Sequence, residues 1–414
     1  MTIRLFLASV VAIHFAACAS HGTARPVGTQ TDMAIDATIP IIADPTGWRT
    51  VGKLSIARGA HTATLLSSGK VLIVGGEKED RTMVDSVEIY DPQSMTFSTL
   101  TPLPEPRSNH MSTLLGSGLV LIAGGGRANQ IGVPEGTEVR NDALLYDPEQ
   151  GTYTRTAPMS SPREFGTAVL LSSGQVLVVG GANDMKTMEP LLGGSANGYV
   201  GHALSSAELY DATSNTWTVT GSMTAARFLH TATKLKDGRV LVTGGATDVS
   251  ETSLKSCELF DLQTQTWSMA ASFNSEDRLF HVATLLDSGQ VLMAAGKESN
   301  TSFLSSAELF DPGSSSWTAT ARISPARTLP TILTLKSGNA LVVGGYNCGK
   351  DGCASLDDSP IYDAKSETWS SLSAPLVASR FNHTATLLDS GEVLVVGGLG
   401  DLAELNDVEI STGP

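Results

Sequence analysis

Basic residues are scarce in this chain. Its 27 Lys and Arg stand against 42 Asp and Glu, leaving a net charge of −15 and a pI near 4.9. So acidic a surface repels phosphate backbones and anionic headgroups. Nucleic acid is therefore not expected as a partner, nor is simple electrostatic adhesion to a membrane. Long apolar runs are missing too. Residues 5–17 are apolar but interrupted by His14, and too few to span a bilayer. Cysteines number four, at 18, 257, 348 and 353. Cys348 and Cys353 form a lone C-x₄-C pair in a Gly-rich loop with no companion His or Cys. That spacing favours a local disulfide over half of a metal site, and suits an oxidising compartment. Cys257 opens a strand and reads as a buried free thiol. There is no H-E-x-x-H, no Walker loop and no G-x-S-x-G, and no glycine pair completes G-x-G-x-x-G ahead of a helix. No catalytic residue, metal or cofactor is expected on this ground.

What the sequence does have is a repeat. The phrase H-T-A-T-L-L-x-S-G-x-V-L-x-V-G-G stands nearly intact at 61–76 and 383–398. Weaker copies begin at His110, Gly166, His230, His281 and Pro330. The closing glycines fall at 76, 125, 181, 245, 296, 345 and 398, spaced by 49, 56, 64, 51, 49 and 53 residues. A period near 50, built from short apolar runs and turn signals, means an array of β-units. Each unit reads as four strands. In the fourth copy these are 230–235, Val240–Thr243, 257–260 and 266–269. The second strand is nearly continuous Val, Leu and Ile, which requires apolar cover on both faces. Radial packing of small sheets around an axis supplies it. The predicted class is all-β, a propeller of seven blades over residues 46–411.

The count predicts its own closure. Fourth-strand aromatics are Phe97, Tyr153, Trp217, Trp267, Trp317 and Trp369, one short of seven. The array ends on a third strand, and the missing aromatic is Trp48. The N-terminal strand near Trp48 is therefore expected to complete the last blade and remove the open seam.

The paired glycines, the third-strand Tyr or Phe and the fourth-strand Trp together resemble the kelch family. Departures are Ala295 in place of the first glycine in blade 5, and Phe97 and Tyr153 in place of Trp. Residues that recur in every blade read as architecture. Arg58, Arg107, Arg163, Arg227, Arg278, Arg327 and Arg380 are expected to pair with the third-strand acids Glu88, Glu208, Glu258, Glu308 and Glu409 and to satisfy buried carbonyls. The histidines three residues later (61, 110, 230, 281, 383) read as packed and hydrogen-bonded. The turns between strands 1 and 2 and between 3 and 4 are tight, so one face is smooth. The loops after the glycine pairs are long and unlike one another, as at 127–141, 182–205 and 346–359. In kelch relatives ligands sit on that face, at the residue after Gly-Gly and the residue two after the recurrent Arg. Carried over, the resemblance points to Glu77, Asn109, Phe165, Phe280, Lys297, Tyr346 and Asn382 as binding candidates.

The N-terminus reads as targeting. Arg4, the apolar run and Phe15-Ala16-Ala17-Cys18 resemble a bacterial lipoprotein signal, with residues 1–17 removed and lipid on Cys18. Phe15 departs from the usual Leu, and ordinary secretory cleavage at Ala17-Cys18-Ala19 is the competing reading. Residues 18–45 then serve as a lipidated tether. Ala19, rather than Asp, permits outer-membrane sorting, so the protein is expected in the periplasm or at the outer membrane. The leading functional reading is a monomeric, non-catalytic scaffold presenting long loops to a protein or glycan. Two enzymatic readings stand behind it. One is a sugar mutarotase resembling N-acetylneuraminate epimerase, for which Glu77 and Lys297 are the singular acid and base. The other is a copper oxidase resembling galactose oxidase, which needs a Tyr two residues after a recurrent Arg. Those positions hold Ala, Asn, Phe or Leu.

Overall fold

A computed structural model describes residues 47–411, except 79–81, 128–137, 188–198, 248–251, 300–301, 350–351 and 402. The readings of residues 1–45, including Cys18, lie outside these residues. The fold is a seven-bladed propeller: seven four-stranded antiparallel sheets follow one another around an axis. Blade 4 consists of Thr231–Lys234, Val240–Thr243, Cys257–Asp261 and Thr266–Ala270, within a residue or so of the sequence expectation. The second strands are the core. All four residues of Val71–Val74, of Val176–Val179 and of Val393–Val396 are 0% exposed. Their side chains alternate into the two flanking interfaces, so Val71 and Ile73 pack with blade 7 while Leu72 and Val74 pack with blade 2. Each such side chain contributes about 1.5–3 kcal/mol on burial.

Turn chemistry sets the strand boundaries. After the third strand of blades 1–6 an Asp folds back on its own backbone. Asp261 Oδ1 accepts from Gln263 N at 2.7 Å and Thr264 N at 3.4 Å, and the same Asx turn recurs at Asp91, Asp147, Asp211 and Asp363. The glycine pairs have a different purpose. The second glycine donates its N–H to the carbonyl of the next blade's recurrent arginine, as Gly245 does to Arg278 at 2.9 Å. A β-carbon on Gly244 would sit 2.7 Å from that same carbonyl oxygen, at φ +57. Close approach and left-handed backbone thus both select glycine. The belt has seven links and ends with Gly398 donating to Arg58 at 2.9 Å.

The ring closes as the aromatic count requires. Trp48–Lys53 pairs antiparallel with Asp407–Ser411, Trp48 opposite Ser411. Trp48 is 8% exposed and packs with Leu335, Leu376 and Val393, so it spans blades 6 and 7. Fourth-strand indoles elsewhere reach back to the preceding blade, as Trp267 Nε1 does to Gly221 O at 2.8 Å. Trp48→Ala is expected to cost about 3 kcal/mol, the usual range for emptying a buried aromatic site. It should also raise amide exchange selectively in 407–411. Urea unfolding and hydrogen exchange check this; uniform exchange across all blades would contradict the clasp.

Candidate functional site

The recurrent arginines are wholly built into the blades. All seven are 0% exposed. Each Nη1 donates to the carbonyl of the residue 17 positions on, the first of the glycine pair or Ala295 in blade 5. Their acids depart in part from expectation. Arg58, Arg163, Arg227 and Arg380 pair directly with Glu88, Glu208, Glu258 and Glu409. In blade 5 the link to Glu308 runs through Ser275, whose hydroxyl lies between Arg278 and Glu308. In blades 2 and 6 the third strand carries Leu144 and Pro360 where the Glu would stand. Asp142 and Asp358 replace it, at 3.0 and 2.6 Å from Arg107 and Arg327. A buried guanidinium requires an acid, and the nearest upstream Asp supplies it. Burial lowers the pKa of Arg58, Arg107, Arg163, Arg227 and Arg380, and that of Arg278 to about 10.

The histidines join blade to blade. His61 Nε2 bonds Thr384 Oγ1 at 3.0 Å, His110 bonds Thr62 at 2.9 Å, His230 bonds Thr167 at 3.0 Å and His383 bonds Thr331 at 3.0 Å. His281 bonds Thr243 at 2.9 Å. Burial, and then the adjacent arginine, pushes the pKa of His61, His110 and His230 down to about 3. These rings are neutral at physiological pH.

Above them lies the mouth of the central channel. The residue two after each arginine holds a left-handed backbone: Ala60, Asn109, Phe165, Leu229, Phe280, Leu329 and Asn382, with φ of 52–55°. That conformation costs a bulky residue about 1–3 kcal/mol. Backbone bonds between neighbours offset it. Asn109 N donates to Ala60 O at 3.1 Å, Phe165 N to Asn109 O at 3.2 Å and Leu229 N to Phe165 O at 3.2 Å. Six of the seven joints carry such a bond. The ring is two-sided. Blades 3–6 contribute Phe165, Leu229, Phe280 and Leu329 in sequence, and blades 7, 1 and 2 contribute Asn382, Ala60 and Asn109.

Among the described residues, three two-stranded hairpins rise on this face. Gly126–Arg127 pairs with Glu138–Val139, Ala182–Thr187 with Tyr199–Ala203, and Tyr346–Gly349 with Gly352–Ser355. A disulfide joins Cys348 and Cys353 across the last. Cys257 is a free, buried thiol, its pKa pushed up to about 12 by burial. Beneath the hairpins lie two apolar clusters. One groups Tyr346, Phe381 and Leu399 with Leu329; the other groups Ala182, Phe228 and Ala246 with Phe165 and Leu229.

This architecture has known counterparts. A family model for the KLHDC2/KLHL20/DRC7 Kelch-repeats domain matches residues 190–398, half of the chain. The chain belongs to the kelch-repeat family. Alpha-scruin of Limulus polyphemus is 26% identical over 136 residues, and beta-scruin of the same organism 24% over 153. Those matches cover 33% and 36% of this chain but only 14% and 16% of the scruins. Among solved structures, a fungal alcohol oxidase of the AA5 family in complex with copper superposes with a TM-score of 0.69 at 17% identity. It covers 90% of this chain and 77% of its own. YjhT superposes with a TM-score of 0.58 at 15% identity, over 78% and 99%. At such identities the likeness shows the fold alone.

Among the described residues, no three His, Cys, Asp or Glu converge in metal-binding fashion. The recurrent histidines bond threonines between blades. Tyr346 packs against Phe381, and burial pushes its pKa up to about 12.

The seven sequence-derived candidates all belong to the mouth but differ in access. Asn109, Asn382, Phe165 and Glu77 are half-buried. Ser108 Oγ donates to Glu77 Oε2 at 3.2 Å. Phe280 is 8%, Lys297 6% and Tyr346 2% exposed. Lys297 Nζ stands 5.8 Å from the centre of the Phe280 ring. Sequence reasoning passed over the residue directly after each arginine. Each such residue bridges the residue after Gly-Gly, as Phe228 does Ala246 and Phe381 does Leu399. Phe228 and Phe381 thereby become floor residues. Their signal was positional, a fixed offset from Arg, with no shared side-chain chemistry to reveal it.

Proposed function

We propose that this kelch propeller is a non-catalytic, extracytoplasmic binding scaffold that offers its hairpin face to a protein or glycan. One observation carries the reading: three hairpins of unlike sequence surround a mouth whose charged and imidazole groups are built into the blades. What this leaves toward the partner is an apolar arc at Phe165, Leu229 and Leu329 beside the amides of Asn109 and Asn382, chemistry suited to contact. The mutarotase reading draws less support. Glu77 and Lys297 occupy equivalent places in blades 1 and 5, on well-separated sectors of the ring, so the pair does not converge on one sugar.

A photo-crosslinking residue at Phe165 should give a discrete adduct in the native envelope, and one at Ser288 on the opposite face should not. Phe165→Asp should lower adduct yield about tenfold, equivalent to roughly 1.4 kcal/mol of binding. Its melting temperature should stay within about 2 °C of the parent, since Phe165 is half-buried. Equal labelling from both faces, or collapse of the fold in Phe165→Asp, would count against the proposal. A glycan partner is sought in parallel by thermal shift with neutral sugars, where ligand at 100 times its Kd adds about 2.7 kcal/mol.

A further inference from the structure

The outer rim of the ring is tied blade to blade by its fourth-strand aromatics. The Tyr153 hydroxyl donates to Thr101 O at 2.8 Å and Trp217 Nε1 to Thr156 Oγ1 at 3.4 Å. Trp267 Nε1 donates to Gly221 O at 2.8 Å, Trp317 Nε1 to Ala271 O at 2.9 Å and Trp369 Nε1 to Ala321 O at 2.8 Å. These bonds join each blade to its predecessor from blade 2 to blade 6. Trp48 holds the same place in blade 7, and its Nε1 has no hydrogen-bond partner among the described residues. Phe97 holds it in blade 1 and has no N–H or O–H on its ring. That ring rests against Gly52 of the closing strand, where a β-carbon would stand 2.7 Å from Phe97 Cε2. Both joints of the closing blade therefore lack the rim bond.

At the joint between blades 7 and 1 a weaker contact stands in. Arg49 follows Trp48 on the closing strand, and its Nη1 and Nη2 donate to Met95 Sδ of blade 1 at 3.7 and 3.8 Å. Met95 lies in the turn just before Thr96–Leu100, the fourth strand of that blade. A thioether is a weak acceptor, so two guanidinium donors meet a poorly matched partner. Met95 is also 47% exposed, which opens its sulfur to dissolved oxidants. We propose that Met95 is an oxidation-responsive latch on the closing blade, its thioether converted to the sulfoxide by a hydroperoxide. A sulfur lone pair takes the terminal oxygen of the peroxide, the O–O bond breaks, and water or an alcohol leaves. Sulfur is oxidised by two electrons and the peroxide is reduced by two. The new oxygen is a stronger acceptor than sulfur and meets charged donors already in place. The rotatable bonds of the side chain let either sulfoxide epimer swing toward the guanidinium. In a packed core the same oxidation disrupts contacts. On this exposed turn it adds a bond across the joint that closes the ring.

The full chain and its Met95→Leu and Arg49→Gln variants are treated with dilute hydrogen peroxide, and oxidation is followed by peptide mass spectrometry. Met269, 56% exposed on the outer strand Thr266–Ala270 of blade 4, is the internal comparison. Met95 should oxidise alongside it. Once Met95 is converted, amide exchange in Trp48–Lys53 and Asp407–Ser411 should slow about fivefold, the scale of one added hydrogen bond. Exchange in Thr216–Val219 of blade 3 should not change, and neither variant should show the slowing. A methionine sulfoxide reductase should reverse it. Met95→Gln places an amide oxygen near the same donors and should slow exchange in the closing strand without peroxide. Unchanged or faster exchange in the oxidised native chain would overturn the proposal. So would a Met95 that stays reduced while Met269 oxidises, or equal slowing in Met95→Leu.

Discussion

Acidification from pH 7 to pH 4 is expected to unfold this protein cooperatively, with a midpoint near pH 5. The cause is the set of five inter-blade histidines. Each is 5–6% exposed, and each gives its Nε2 to a threonine. Burial holds His61, His110 and His230 near a pKa of about 3, and His281 and His383 well below the ordinary 6.5. The sign follows from proton counting. In the unfolded chain these rings protonate near 6.5, whereas in the folded chain His61, His110 and His230 stay neutral down to about 3 and His281 and His383 stay neutral well below 6.5. Between those limits the unfolded state binds more protons, so stability is whole above pH 6.5 and falls as pH falls. Each histidine contributes up to about 1.4 kcal/mol per pH unit, and five together about 7 kcal/mol per unit. Total stabilities are typically 5–15 kcal/mol, so one to two units suffice. Tryptophan fluorescence against pH reads the transition. His230→Gln should lower its proton cooperativity by about one. A fold unchanged at pH 4 would mean that the imidazoles are hydrated or partnered in their charged form.

Arg227→Leu should remove about 3–5 kcal/mol, because it leaves the Glu258 carboxylate buried without its cation. Both side chains are 0% exposed and 2.8 Å apart. Arg227 also donates to Gly244 O at 2.7 Å and Ser256 O at 3.0 Å, and Glu258 accepts from Thr224 N at 2.7 Å and Ala225 N at 3.1 Å. Removing the charge as well, in Arg227→Leu with Glu258→Leu, should restore only part of the loss. The orphaned carbonyls and amides each still cost about 1–3 kcal/mol. Urea midpoints of the two variants decide the matter. A double variant no better than the single would show that the lost carbonyl bonds, and not the stranded charge, carry the effect.

These two predictions differ in how far the sequence anticipates them. The histidine spacing marks five equivalent interior sites, but nothing in it shows that each ring crosses to the neighbouring blade's threonine. The arginine repeat announces a buried cation in every blade. Its partner is legible where the third strand holds Glu, as at Glu258, and not where Leu144 or Pro360 stands in that place. There the acid lies on a segment whose approach depends on the loop before it. Of the mouth, the fixed offset from Arg puts Asn109, Phe165 and Asn382 on the ring of left-handed backbone. The fixed offsets carry no information on depth, so Tyr346 and Lys297 emerge as covered side chains. Coverage comes from residues of the next blade, such as Phe381 over Tyr346.

Sequence alone determined the number of blades, the order of strands within each, the smooth and decorated faces, and the closure by Trp48. All of these follow from local signals: apolar runs of four residues, Asx and glycine turns, and one aromatic per outer strand. Each acts within a few residues of chain and is repeated often enough to be counted. Tertiary structure alone decided which acid neutralises each arginine, that seven unlike residues share one left-handed ring, and which mouth residues remain accessible. Those outcomes depend on how separate blades press on one another, and no segment of the chain encodes that pressure by itself.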